Sequence, residues 1–146
     1  MNRSRFSEPG DFPKVVLIDT ISFCNLRCSM CCHKDMTRKK GKMRMEFFQK
    51  IIDEIASANK DTRVWMVFFG EALLLKKTTL FPMIKYAKDK GLNDVVLNSN
   101  ANLLDESSAM GLIESGLDAI YVGIAAVREE TYANLRIGGD YNRVVN

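Results

Sequence analysis

Cysteine is missing from this 146-residue chain except between residues 24 and 32, where Cys24, Cys28, Cys31 and Cys32 all lie. A disulfide scaffold spreads its cysteines along the chain, so that class is excluded. Histidine occurs once, as His33 beside the cysteines. No stretch approaches the about 18 consecutive apolar residues that a membrane-spanning helix needs. Residues 1–10 are polar and charged, with no apolar core of a signal peptide. The expectation is therefore a cytoplasmic protein with no membrane partner. No low-complexity segment or internal linker is present. The net charge is only +3. Most of the basic excess sits in Lys34, Arg38, Lys39, Lys40, Lys42 and Arg44. No aromatic residues interleave with that run, so nucleic acid is not an expected partner. The run reads either as a solvated loop or as an electropositive rim for an anionic substrate or redox partner.

An apolar fraction of 47% and a charged fraction of 27% are ordinary for a globular domain with a core. In a reducing compartment, clustered cysteines read as a metal site or a catalytic one rather than as disulfides. Cys24, Cys28 and Cys31 have the spacing C-x3-C-x2-C. A compact loop with that spacing can bring three sulfurs onto one cubane iron–sulfur cluster. A closed four-iron cluster takes four thiolates, so one iron keeps an open position. An open position is also what separates catalytic from structural zinc sites.

Strand and helix patterns alternate along the chain. Val15 to Ile18 is a short β-branched run. Met45 to Ala56 repeats Phe47, Phe48, Ile51, Ile52 and Ile55 on one helical face. Val64 to Phe69 is a continuous apolar strand ended by Gly70. Leu80 to Lys90 reads as a helix stopped by Gly91. Asp94 to Leu97 is a third strand. Asp105 caps a helix that runs to Glu114 and stops at Gly116. Ala119 to Val122 is a fourth strand, and a helix is expected over about Arg128 to Leu135. Tyr141 to Asn146 looks like the start of another helical turn. Continuous apolar strands fit parallel pairing covered on both faces. Four βα units make an α/β domain with right-handed connections. Four parallel strands cannot close a barrel, so the expectation is an open sheet or part of a larger barrel.

Ligands of parallel α/β folds bind beyond the C-terminal strand ends. Four segments meet there: the cysteine loop, Gly70-Glu71, Asn98-Ser99-Asn100 and Gly123-Ile124-Ala125. With these residues in view, the chain resembles radical S-adenosylmethionine (radical SAM) enzymes. Cys24-Asn25-Leu26-Arg27-Cys28-Ser29-Met30-Cys31 matches their signature. Phe69-Gly70-Glu71-Ala72-Leu73-Leu74 is similar to their glycine–glutamate motif. Asn98 to Leu104 is similar to their threonine–asparagine–glycine turn. Glu130 to Arg136, followed by Gly138-Gly139, resembles a segment of members that carry a SPASM extension.

The resemblance implies a partial (β/α)6 TIM-type barrel: an N-terminal arm over residues 1–12, and over 13–146 a radical SAM core domain that is truncated. It implies that Cys24, Cys28 and Cys31 hold a [4Fe-4S] cluster. The amino and carboxylate groups of S-adenosylmethionine would chelate the fourth iron. One electron, from a donor such as flavodoxin or ferredoxin, would cleave the sulfonium to methionine and a 5′-deoxyadenosyl radical. That radical would abstract hydrogen from a substrate, for which the SPASM-like ending suggests a peptide or protein. Gly70 and Glu71 would meet the methionyl amine, and Met30 would pack near the adenine. Asn100 would add polar contacts at the rim, and Arg136 would pair with the methionyl carboxylate. Cys32 and His33 lie outside the signature.

The chain departs from the family pattern at Ala72, where proline is usual. It departs again at Gly123 and Ala125, where many relatives have serine and aspartate. Glycine and alanine cannot supply those hydrogen bonds to the cofactor. Two alternatives therefore stand beside the enzyme reading. One is a non-catalytic remnant holding the cluster or zinc. The other is a zinc-stabilised interaction module using Cys32 or His33 as a fourth ligand.

Overall fold

The computed structural model describes residues 12–146. Most of the expected N-terminal arm, residues 1–11, lies outside the described residues, and Phe12 packs against the core. Four strands, β1 (Val15–Leu17), β2 (Arg63–Trp65), β3 (Val95–Ser99) and β4 (Ala119–Val122), form one sheet in chain order. Every neighbouring pair is parallel, with Val16 opposite Val64, Trp65 opposite Val96, and Leu97 opposite Ile120. Three helices return the chain between strands: α1 (Met45–Ala58), α2 (Phe81–Asp89) and α3 (Glu106–Glu114). Two short helices follow β4, α4 (Glu129–Leu135) and α5 (Tyr141–Val145).

The strand period of two sorts the side chains onto two faces. Val16, Ile18, Val64, Met66, Val95, Leu97 and Ile120 pack with Phe48, Ile52 and Ile55 of α1, Met83, Ile84 and Ala87 of α2, and Leu112 of α3. That is one contiguous core between the sheet and its helices. The opposite face differs from the expectation of a sheet covered on both sides. Val15 and Leu17 of β1 are 44% and 52% exposed, and Tyr121 of β4 is 43% exposed. Only central β3 is buried almost throughout. The open face carries a stacked Trp65–Tyr121 pair at 5.1 Å, with the indole N–H donating to Asn98 at 3.2 Å.

Helix ends follow their local chemistry. Asp105 caps α3 by accepting from the Ser108 amide, and Gly116 leaves the helix at φ +85°. Helix α2 itself starts at Phe81, one residue after the periodicity suggests, but helical backbone begins earlier, because a π-helical turn over Lys76–Leu80 runs into it. The apolar run after Val64 is not all strand. Ladder pairing ends at Trp65, and the Met66 amide adds one more bond to the Val96 carbonyl. Val67 turns into the core while Phe68 is 59% exposed. Conversely, β3 extends through Asn98 and Ser99, which places that motif on the strand itself.

Candidate functional site

The loop after β1 is fixed at both ends. At its entry, the Thr20 hydroxyl donates to the Met66 carbonyl at 2.7 Å. Ile21 and Lys42 form an antiparallel bridge, and the Gly41 amide donates to the Ser22 hydroxyl at 2.8 Å. The basic run is thereby pinned beside the site. The segment leaving β2 crosses the loop tightly: the Glu71 amide donates to the Phe23 carbonyl at 2.8 Å. A Cβ on Gly70 would sit 2.1 Å from the Ile21 carbonyl oxygen. Glycine is required at 70 because two backbones touch there.

Midway along the loop, the Arg27 and Ser29 amides donate to the Ile137 and Leu135 carbonyls, both at 2.9 Å. The end of α4 therefore braces the middle of the cysteine motif. The brace is anchored in turn by Tyr132, which is 1% exposed and accepts from the Asn102 side-chain amide at 2.9 Å. Asn102 also accepts from the Asp140 amide at 2.7 Å.

Cys24, Cys28 and Cys31 line one cavity of about 330 Å³ with Gly70, Glu71, Asn98, Ser99, Asn100, Tyr121, Gly123 and Arg136. The structure thus brings together every residue expected to hold the cluster or the cofactor except Met30, while Ile124 and Ala125 of the segment after β4 also lie outside the lining. Met30 is 54% exposed and is not in the cavity lining. Cys32 is exposed on a 3-10 turn over Cys32–Asp35, whose N-cap is Cys31 through the His33 amide. The His33 ring nitrogen hydrogen-bonds the Ser22 carbonyl at 2.8 Å, a bond within the loop.

Glu71 is 1% exposed. One carboxylate oxygen accepts from the Leu73 amide at 3.1 Å and the Ser99 hydroxyl at 2.9 Å. The other accepts from the Asn100 amide at 2.9 Å. Burial pushes its carboxyl above the ordinary value, against the pull of these donors and of the Arg136 charge. Glu71 therefore locks the exit of β2 onto the end of β3. Asn100 extends the lock, donating to Asn25 at 2.9 Å and approaching the Cys24 sulfur at 4.0 Å. Burial raises the Cys24 thiol, with Glu71, Cys28 and Cys31 adding to the rise. Ala101 completes this turn at φ +59°, the left-handed region that favours glycine.

Arg136 reaches the cavity from the end of α4. One terminal nitrogen lies 3.5 Å from the Cys28 sulfur, and the other donates to the Gly123 carbonyl. A Cβ on residue 123 would lie 2.7 Å from that nitrogen. The absence of a side chain at Gly123 thus makes room for the guanidinium. Its Nε is buried with no partner among the described residues. A buried donor without an acceptor is costly unless a ligand supplies one.

These features fit an iron–sulfur cluster with an anionic ligand beside it. N–H donors stand near two of the sulfurs, the Asn100 amide by Cys24 and the Arg136 guanidinium by Cys28. Among the described residues, no three His, Cys, Asp or Glu side chains are drawn together closely enough to hold a single metal ion. A four-iron cluster places each thiolate on a different iron, so it tolerates the wider spacing. Sequence reasoning missed Asn25, Asn102 and Tyr132, and also the Leu135 and Ile137 carbonyls. Their roles come from contacts between distant segments, for which residue type carries no signal.

The Radical SAM superfamily profile matches residues 18–146. The chain is 31% identical over 122 residues to a probable GTP 3',8-cyclase of Methanococcus maripaludis, covering 83% of this chain and 39% of that protein. It is 30% identical over 112 residues to a tungsten-containing aldehyde ferredoxin oxidoreductase cofactor-modifying protein of Pyrococcus furiosus, covering 74% of this chain and 30% of the relative. Thus the chain spans well under half the length of these curated relatives. Among solved structures, Streptococcus suis SuiB bound to precursor peptide SuiA superposes with a TM-score of 0.74 at 15% identity, over 91% of this chain and 29% of SuiB. The four-stranded sheet thus corresponds to part of a larger radical SAM barrel. The chain belongs to the radical SAM superfamily, enzymes whose cofactors are a [4Fe-4S] cluster and S-adenosylmethionine.

Proposed function

We propose that Cys24, Cys28 and Cys31 ligate three irons of the cluster and that the adjoining cavity receives S-adenosylmethionine. One observation carries this reading: a single cavity unites the three thiols with Glu71, Asn100 and Arg136. When bound, cluster and cofactor supply radical hydrogen abstraction after one-electron cleavage of the sulfonium. The protein's own work is to hold, orient and exclude water. Arg136, whose Nε is unpartnered, would hold the methionyl carboxylate, an anion that a guanidinium suits. Glu71 supplies the countercharge for the methionyl amine while remaining tied to Ser99 and Asn100. Asn100 holds Asn25 and steadies Cys24. Met30 is exposed and outside the cavity lining, so the expected packing against the adenine has no support in this arrangement.

Electrons come from a one-electron carrier such as flavodoxin or ferredoxin. A peptide or protein substrate is favoured by the SPASM-like segment over residues 130–139 and by the likeness to SuiB. Anaerobic reconstitution should load about four irons and four sulfides per chain. Reduction with S-adenosylmethionine present should then release 5′-deoxyadenosine. Substituting any of the three cysteines by alanine should abolish both. One zinc per chain and no sulfide would reject the proposal.

A further inference from the structure

The three cysteines line not one cavity but two. The second measures about 400 Å³ and is bounded by Cys24, Leu26, Arg27, Cys28, Cys31, His33, Lys34 and Lys40. The thiols are therefore shared by two cavities with different linings. One also contains Glu71, Asn100 and Arg136. The other also contains Arg27, Lys34 and Lys40, with no carboxylate in its lining. All three basic residues are exposed, and none forms an ion pair among the described residues. Asp35 lies next to Lys34 on the same turn but is outside the lining.

The rest of the basic run goes elsewhere. Arg38, Lys39, Lys42 and Arg44 border a separate cavity that contains Asp19 and no cysteine. Arg38 is already paired with Asp19. The sequence shows one continuous run of positive charge. The fold divides it into a part that shares a cavity with Cys24, Cys28 and Cys31 and a part that does not.

We propose that the Arg27–Lys34–Lys40 face is the docking surface for the electron donor, an acidic one-electron carrier whose redox group lies near a carboxylate-rimmed surface. The proposal rests on the cluster reading above. Its chemistry is a single electron transfer: the carrier is oxidised by one electron, the oxidised cluster is reduced by one, and no bond or proton moves. Entry from this side leaves the Arg136 side free for the cofactor and substrate. Uncompensated cations beside the thiols steer an anionic partner to the face where the path to the cluster is short.

The test compares the reconstituted chain with Lys34→Glu/Lys40→Glu, using a fully reduced flavodoxin as the probe. Stopped-flow spectroscopy follows cluster bleaching across ionic strength, and a titration measures carrier affinity independently of turnover. At low salt, the double reversal should slow bimolecular reduction and weaken binding at least tenfold. The difference should fade near 1 M salt, where screening reaches about 3 Å. Reduction by photoreduced deazaflavin, a small neutral donor, should be unchanged. Lys39→Glu/Lys42→Glu, on the other cavity, should stay within twofold of the wild type. The milder Lys34→Gln/Lys40→Gln pair should show an intermediate loss, and it serves if the reversal impairs folding. Equal effects of the two double reversals, or none from Lys34 and Lys40, would overturn the assignment. Failure of the wild-type chain to load iron and sulfide would instead reject the cluster reading beneath it.

Discussion

Replacing Glu71 with glutamine tests whether the carboxylate is consumed by the protein before any cofactor arrives. The swap conserves shape and removes one acceptor. Three donors converge on Glu71: the Leu73 amide, the Ser99 hydroxyl and the Asn100 amide. Ser99 can rotate its hydroxyl to accept instead, but the two backbone amides cannot turn. Whichever way the new amide sits, its NH2 faces one of them. One buried N–H then loses its acceptor, at a cost of about 1–3 kcal/mol. Alanine leaves all three donors unmet and opens a cavity as well, so its cost should rise to about 3–5 kcal/mol. Urea unfolding of the metal-free chain measures both, with unchanged m-values showing that the same cooperative unit unfolds. Glutamine within about 0.5 kcal/mol of the wild type, a neutral surface change, would refute the reasoning. Glu71 would then act on the cofactor alone.

Gly70→Ala should be more damaging than an ordinary surface change, because its Cβ meets backbone oxygen of Ile21 at 2.1 Å and neither strand exit can yield. A loss at or above the about 1–3 kcal/mol typical of overpacking is expected in thermal melts. Ala101→Gly relieves a left-handed alanine worth about 1–2 kcal/mol but frees the unfolded chain by about 0.4–1 kcal/mol. A neutral to slightly raised midpoint is the expected result, and a clear drop would contradict it. Asp105 is held well below the usual carboxylate range by the Ser108 hydroxyl, Lys76 and the Ser108 amide. A depressed folded-state value means that its stabilisation is present above the ordinary carboxylate pKa and is lost as pH falls through the depressed one. Asp105→Ala should therefore melt below the wild type near neutrality, with the gap narrowing in acid; a gap that widens in acid would be the wrong sign.

The order of strands and helices was legible because it rests on local chemistry. The period of α1, the Asp105 cap and the stops at Gly91 and Gly116 are decided within a few residues. The end of β2 was not, since Met66 to Phe69 is as apolar as a strand but bends to pass over the cysteine loop at Gly70. The cysteines, Glu71, Asn100 and Arg136 were readable as motifs, and the fold gathers them in one cavity. Their local duties were hidden. Nothing at position 71 announces that its three donors come from Leu73, Ser99 and Asn100. Gly123 reads in sequence as a lost hydroxyl, yet in space it is the gap that admits the Arg136 guanidinium. Side-chain type reports chemistry; which carbonyl or guanidinium fills a neighbouring space is a tertiary fact.

The two bonds from Arg27 and Ser29 to Ile137 and Leu135 also set an order of assembly. The cysteines are made early, whereas the segment that braces them is made late. Loop closure over so long a span is slow and waits on the intervening βα units. Until α4 docks, the motif has its thiols but lacks the brace that holds its middle in place. Cluster loading should therefore be a late event, following the folding of the sheet rather than nucleating it. A chain broken before Leu135 would keep all three motif cysteines and lose the brace that positions them.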